Sequence, residues 1–225
     1  MGFDAGQETR SYFAVMHYDG RVNQPAAPLL PPGIARDISR EAMATLPIRR
    51  FEGEVVLVEN HRELVRAVDD IRHESIVGWD TETRPAFRKG EVYRPSLLQV
   101  ATARAVYVIA LQKIDASEHV AGFFGAAEIV KVGISVADDL KKLATLFPLE
   151  PVSVLDAGTV ARRHGMAQTG LRNLAGIFLG FRVPKGAKTT NWAAPRLSAQ
   201  QINYAATDAW ACRELYLKFK ELGMV

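Results

Sequence analysis

The sequence predicts an α/β fold: a mixed β-sheet flanked by helices. Three observations carry this expectation. Short apolar runs of strand length alternate with longer segments whose apolar residues recur at helical spacing. Three strand-like segments, 76–81, 96–102 and 105–110, follow one another with no helix between them. That succession needs antiparallel neighbours, so the sheet is mixed, not doubly wound and parallel. A dinucleotide-binding α/β protein would also need a Gly-rich turn between strand and helix, and the segment after Ile134 has none.

The elements follow in order. Val55 to Val58 reads as a strand. Asn60 caps a helix running through Arg72, with Leu64, Val65, Val68 and Ile71 as its apolar positions. After the three strands come a helix near 117–126, a strand at 129–134 and a helix at 136–147. A short strand at 152–155 precedes helices near 157–165 and 170–179. Asp156 is placed to cap the first of these, and His164 stands where a helix C-terminus favours an imidazole. Ser198 with Gln201 three residues on forms a capping box, which starts a last long helix reaching about Glu221.

Residues 1–45 read as a Pro-rich N-terminal extension, and 46–225 as the folded domain. The run Asn23-Gln24-Pro25-Ala26-Ala27-Pro28-Leu29-Leu30-Pro31-Pro32-Gly33 cannot sit inside a helix or strand, because proline removes donors and fixes φ. Phe13-Ala14-Val15-Met16 and Leu29-Leu30 are apolar enough to dock on a surface.

The 225 residues suffice for one proper core. Apolar residues at 48% and charged residues at 24% are ordinary for a soluble protein. A net charge of +3 with no long Lys/Arg run permits a polyanionic partner without requiring one. The single Cys212, among apolar neighbours, excludes a disulfide framework and a cysteine-rich zinc site and reads as core. No apolar run reaches membrane length and the N-terminus lacks a signal-peptide pattern, so a cytoplasmic protein without a membrane partner is expected.

Three groups of acids concentrate the chemistry. In Ile76-Val77-Gly78-Trp79-Asp80-Thr81-Glu82-Thr83, two carboxylates stand two residues apart on a strand and so face the same side. Like charges so placed repel, and a hard divalent cation relieves the repulsion. In Val136-Ala137-Asp138-Asp139-Leu140, helical phase separates two aspartates. Asp138 shares a face with Lys141 and Lys142, an ordinary solvated arrangement. Asp139 shares its face with Val136 and Leu143 and looks inward, where an unpartnered carboxylate is costly, so the ligand role falls to Asp139. In the last helix Tyr204 and Asp208 are i and i+4 on one face. A phenol one turn from a carboxylate can orient a water; an amphipathic helix with a core tyrosine gives the same pattern.

The order Asp-x-Glu on a strand, Val-Gly-x5-Asp, then Tyr-x3-Asp on a late helix resembles the three blocks of the DEDD superfamily of 3′-5′ exonucleases, in its tyrosine-bearing DEDDy subgroup. Pro95-Ser96-Leu97-Leu98-Gln99, Gly170-Leu171-Arg172-Asn173-Leu174 and Lys188-Thr189-Thr190-Asn191-Trp192 resemble the segments between those blocks. The likeness covers roughly residues 50 to 220. The doubled Asp138-Asp139 departs from the family pattern, and phase selects between them.

The resemblance implies a ribonuclease-H-like fold and hydrolysis of DNA or RNA from the 3′ end, releasing 5′-mononucleotides. It also implies two ions, Mg²⁺ or Mn²⁺, which in such sites lie about 3.5–4 Å apart. By that resemblance Asp80 bridges both ions, Glu82 and Asp208 complete one site and Asp139 serves the other. Tyr204 orients the attacking water, and clustered acids call for neutral to alkaline pH. The expected partner is single-stranded or 3′-ended nucleic acid. Arg84, Phe87, Arg88, Lys89 and Arg94, in the loop after the first block, suit phosphate contacts and base stacking, and equally suit a solvated basic loop. Lys185, Lys188, Asn191 and Trp192 form a second basic-polar segment, with Trp192 more often a core residue than a stacking platform. The alternative reading is a catalytically inactive nucleic-acid-binding domain of the same fold; loss of one ligand would signal it, and none is lost.

Overall fold

The computed structural model describes residues 30–88, 90–185 and 190–225. Its centre is a six-stranded sheet of β1 (Glu54–Val58), β2 (Ile76–Thr83), β3 (Pro95–Ala101), β4 (Ala105–Ala110), β5 (Val130–Gly133) and β6 (Val154–Asp156). The spatial order is β1-β4-β3-β2-β5-β6. β3 runs antiparallel to both its neighbours, and the other pairings are parallel. The mixed sheet expected from three consecutive strands is therefore present, with β2 central to it.

Helices cover both faces: α1 (Arg40–Thr45), α2 (His61–Ile71), α3 (Ser117–Gly125), α4 (Val136–Leu143), α5 (Ala157–Arg163), α6 (Leu171–Leu174) and α7 (Ala199–Glu221). α6 widens into a π-helical turn over Ala175–Leu179. On one face Leu64 and Ile71 of α2, Val120 and Phe124 of α3 and Leu143 of α4 pack on Val77, Trp79, Leu98 and Val100. On the other, Ala205, Ala206 and Ala209 of α7 lie on Leu97, Ala101, Val106 and Val108. Alternation along β2 thus sends Val77 and Trp79 to the first face and Gly78, Asp80 and Glu82 to the second.

The caps read from the sequence are formed. Asn60 accepts from Glu63 N–H, Asp156 from Thr159 N–H, and Ser198 and Gln201 exchange both bonds of a capping box. Three details differ. Val65 is 47% exposed, because Leu64, Ala67 and Ile71 form the buried stripe of α2. α4 stops at Leu143, not 147, and the chain turns toward Pro148, which cannot continue a helix. α1 lies within the segment read as an extension, capped by Ser39, with Met43 against Gly176. Leu30 and Ile34 pack on the cluster formed by α5, α6 and the end of α7, while Phe13–Met16 lie outside the described residues.

Two glycines permit close approaches that place the acids. A Cβ at Gly78 would stand 1.9 Å from the carbonyl oxygen of Ala209, so α7 rests its backbone directly on β2. A Cβ at Gly133 would meet Val136 Cγ1 at 2.6 Å, where β5 turns tightly into α4 through Ser135 at φ 59°.

Candidate metal and nuclease centre

Asp80 and Glu82 leave the same face of β2 near its carboxyl end, and α7 crosses there with Asp208 one residue before the contact at Ala209. One oxygen from each of Asp80, Glu82 and Asp208 lies within 4.8 Å of the others. Glu82 and Asp208 are buried and Asp80 is half-buried. Three carboxylates this close in partial burial repel strongly, and nothing in the packing of an alanine-rich helix on a strand requires them.

Asp139 reaches the same cleft from α4. Its Oδ1 accepts from the Thr81 hydroxyl at 2.7 Å. Burial holds its carboxyl above the ordinary range, against the lowering effect of that bond and of Lys142. Asp138 is 82% exposed and lies 4.0 Å from Lys141. Both aspartates border the acid cleft, with Asp139 turned inward onto Thr81 and Asp138 toward solvent, the orientations that helical phase predicts.

Tyr204 stands one turn before Asp208 and is half-buried. Burial raises its phenol well above the ordinary value, helped by the charge of Asp208, its hydrogen bond to the phenol, and Glu82 and Asp80. The hydroxyl therefore stays protonated at any working pH, donating to Asp208 with lone pairs left to accept from a water.

These residues line one open cleft of about 870 Å³. Arg84, Lys142 and Arg172 line it too. The Arg84 guanidinium stacks 4.7 Å above the Tyr93 ring, which fixes one cation at the rim. Phe87 and Val92, 78% and 90% exposed, stand on the same loop. Asn191 is not among the described residues that line this cleft: its side chain accepts from Ala193 N–H, and its carbonyl accepts from Gln201 Nε2 in the first turn of α7. Lys89 and Lys188 lie outside the described residues. Trp192 and Cys212 are buried, as a core reading requires.

Sequence reasoning missed Thr81, which fixes Asp139, and Gly78, which seats α7. It also left Gln99 without a role, although Gln99 lies fully buried directly across from Asp80. A hydroxyl between two strand acids and a glycine two residues before the first are the signals that were available.

Comparison with known proteins places the chain in a family. A sequence model of a 3′-5′ exonuclease family matches residues 55–223. A 3′-5′ exonuclease of Arabidopsis thaliana is 28% identical over 201 residues, which covers 82% of this chain and 70% of that protein. A ribonuclease D of Haemophilus influenzae is 30% identical over 164 residues, covering 71% of this chain and 40% of its own length. Among solved structures, the Nibbler EXO domain of Aedes aegypti superposes with a TM-score of 0.70 at 22% identity, covering 77% of this chain and 92% of that one. That likeness shows a ribonuclease-H-like fold. The chain spans only 27% to 41% of the length of several curated relatives.

Proposed function

The chain belongs to the 3′-5′ exonuclease family, within the DEDD superfamily, and we propose that it hydrolyses DNA or RNA one nucleotide at a time from the 3′ end, releasing 5′-mononucleotides. The observation that carries this reading is the gathering of Asp80, Glu82 and Asp208, with oxygens within 4.8 Å, in a cleft that Asp139 also lines.

An all-carboxylate donor set suits hard cations such as Mg²⁺ and Mn²⁺. Asp80, Glu82 and Asp208 would hold one ion and Asp139 with Asp80 a second; bound there, the pair would neutralise the phosphodiester and make a water acidic enough to attack it. The chain's own residues supply the rest. Thr81 fixes the rotamer of Asp139 through its hydroxyl. Tyr204, kept protonated, accepts from the attacking water while donating to Asp208, and so aims its oxygen at phosphorus. Arg84, Lys142 and Arg172 set positive charge around the acids, where an anionic strand must come to rest.

Digestion of 5′-labelled linear oligonucleotides, DNA and RNA side by side, with Mg²⁺ or Mn²⁺ tests this. A descending ladder with release of 5′-mononucleotides, and survival of a circular substrate, is the expected result. Efficient cutting of the circle overturns the exonuclease assignment. Binding without any shortening supports the inactive nucleic-acid-binding alternative.

A further inference from the structure

A second, smaller cleft of about 260 Å³ adjoins the acid centre, and Tyr204 lines both. Its walls are Arg50, Pro184, Lys185, Gln200, Asn203 and Tyr204. Among the described residues it holds two cations and two amides and no carboxylate. Asp80, Glu82, Asp139 and Asp208 line the larger cleft and not this one. Resting on the nuclease reading above, we infer that this cleft holds the phosphodiester backbone of the substrate strand next to its 3′-terminal nucleotide.

Three separate parts of the chain converge to build it. Arg50 lies between two pinned neighbours. Arg49 N–H donates to Arg182 O at 3.0 Å, and Phe51 N–H donates to Thr207 Oγ1 at 3.1 Å, with the Phe51 ring against Trp210. Lys185 follows buried Val183 by two residues. Gln200 and Asn203 stand on the first two turns of α7, whose start is set by the Ser198–Gln201 capping box. Gln200, Asn203 and Tyr204 share a helix face, because they are spaced three and four apart. That face leads from the basic cleft to Asp208.

Arg50, Lys185, Gln200 and Asn203 are all exposed, and among the described residues neither Arg50 nor Lys185 makes an ion pair. Two cations lining one small cleft repel each other, and an anionic chain relieves this. Guanidinium, ammonium and amide groups are all donors to phosphate oxygens. The volume is below that of typical small-ligand clefts, so a phosphate with its sugar fits better than a base pair. The division of labour then follows from charge. The acid cleft repels every phosphate except the one its cations neutralise. The adjoining phosphates therefore need cations of the protein, and this is where they stand.

The test uses Arg50→Gln, Lys185→Gln and the double variant, with Arg62→Gln on the exposed side of α2 as control. Binding of a 5′-fluorescein single-stranded oligonucleotide is followed by anisotropy in Ca²⁺ across a salt series. Each substitution at the cleft is expected to reduce the slope of log K against log[salt] by roughly 0.7, the value for one phosphate contact on a single strand. Hydrolysis of the oligonucleotide is compared with hydrolysis of the p-nitrophenyl ester of thymidine 5′-phosphate, which has no upstream backbone. The double variant should raise KM for the oligonucleotide roughly tenfold more than for the ester. An unchanged salt slope, or equal losses on oligonucleotide and ester, overturns the inference. If the wild type hydrolyses neither substrate while each cleft variant still loses salt slope, the nuclease reading is overturned and the cleft is kept only as a backbone-binding site, without its place beside the 3′ terminus.

Discussion

Gly78→Ala is the smallest change that should separate the acids. An alanine Cβ there would stand 1.9 Å from Ala209 O and 2.6 Å from Arg213 N. Both are backbone atoms of α7, so no rotamer change relieves the clash. Ordinary contact begins at 3.4 Å, so helix and strand must part by about 1.5 Å, the difference between 3.4 and 1.9. Asp208 precedes Ala209 and must move with it, away from Asp80 and Glu82. A misplacement of about 1 Å at a reacting centre can cost on the order of 100-fold in rate. Overpacking of this kind costs about 1–3 kcal/mol, and in a chain of this length each kcal/mol lowers Tm by about 2–4 °C. Single-turnover hydrolysis of a 5′-labelled oligonucleotide at saturating Mn²⁺, with thermal unfolding by circular dichroism, reads both effects. Gly122→Ala is the control: it lies in α3 with nothing within 4 Å of the added carbon, and helix propensity alone should make it neutral or stabilising by about 0.5–1 kcal/mol. Wild-type rate and Tm for Gly78→Ala would refute the seating of α7 on β2, and with it the reason Asp208 meets the strand acids.

Three other outcomes are expected. Asp139→Asn should lower the single-turnover rate by about 10²-fold or more with the fold intact, whereas Asp138→Asn, at an exposed site, should stay within about 0.5 kcal/mol of wild-type stability and keep its activity; the reverse pattern would move the ligand by one residue. Tyr204→Phe keeps the ring and its packing, so it should cost about 10²–10⁴-fold in rate with little change in Mn²⁺ affinity, and a full rate would make Tyr204 a core residue only. Lys131 is fully buried beneath Phe123, donating to Ala126 O, and burial lowers its ammonium to about 8, with Glu128 opposing. Between pH about 8 and about 10.5 the unfolded chain binds the extra proton, so wild-type stability should rise with pH across that window. Lys131→Met should flatten that rise and, below pH 8, gain stability by up to about 3 kcal/mol, which urea unfolding at pH 7 and pH 10 would show; a variant less stable than wild type at pH 7 would mean that the buried charge is well compensated.

What could be read from the sequence was local. The period of two put Asp80 and Glu82 together, helical phase separated Asp139 from Asp138, and spacing paired Tyr204 with Asp208. The caps at Asn60, Asp156 and Ser198 depend only on neighbours three residues away, so they too were legible. What escaped depends on parts of the chain far apart in sequence. Thr81 matters because α4 comes to it, and Gly78 because α7 does. Arg50 gains its place only when the segment before β1, Pro184–Lys185 and α7 have assembled. α1 is six residues long and buries none of them, too short for a periodic signal. Val65 fits the apolar pattern of α2 by type, but its direction is set by the sheet below.

On the proposed reading, acids from β2, α4 and α7 together would hold a pair of divalent cations. The direct measurement is the number of Mn²⁺ ions bound per chain, by titration of the wild-type protein and of Asp80→Asn in the presence of a nucleoside 5′-monophosphate. Two ions are expected on the wild type and loss of both high-affinity sites in the variant, because Asp80 would serve both. No saturable binding to the wild type, or binding unchanged in Asp80→Asn, would contradict it.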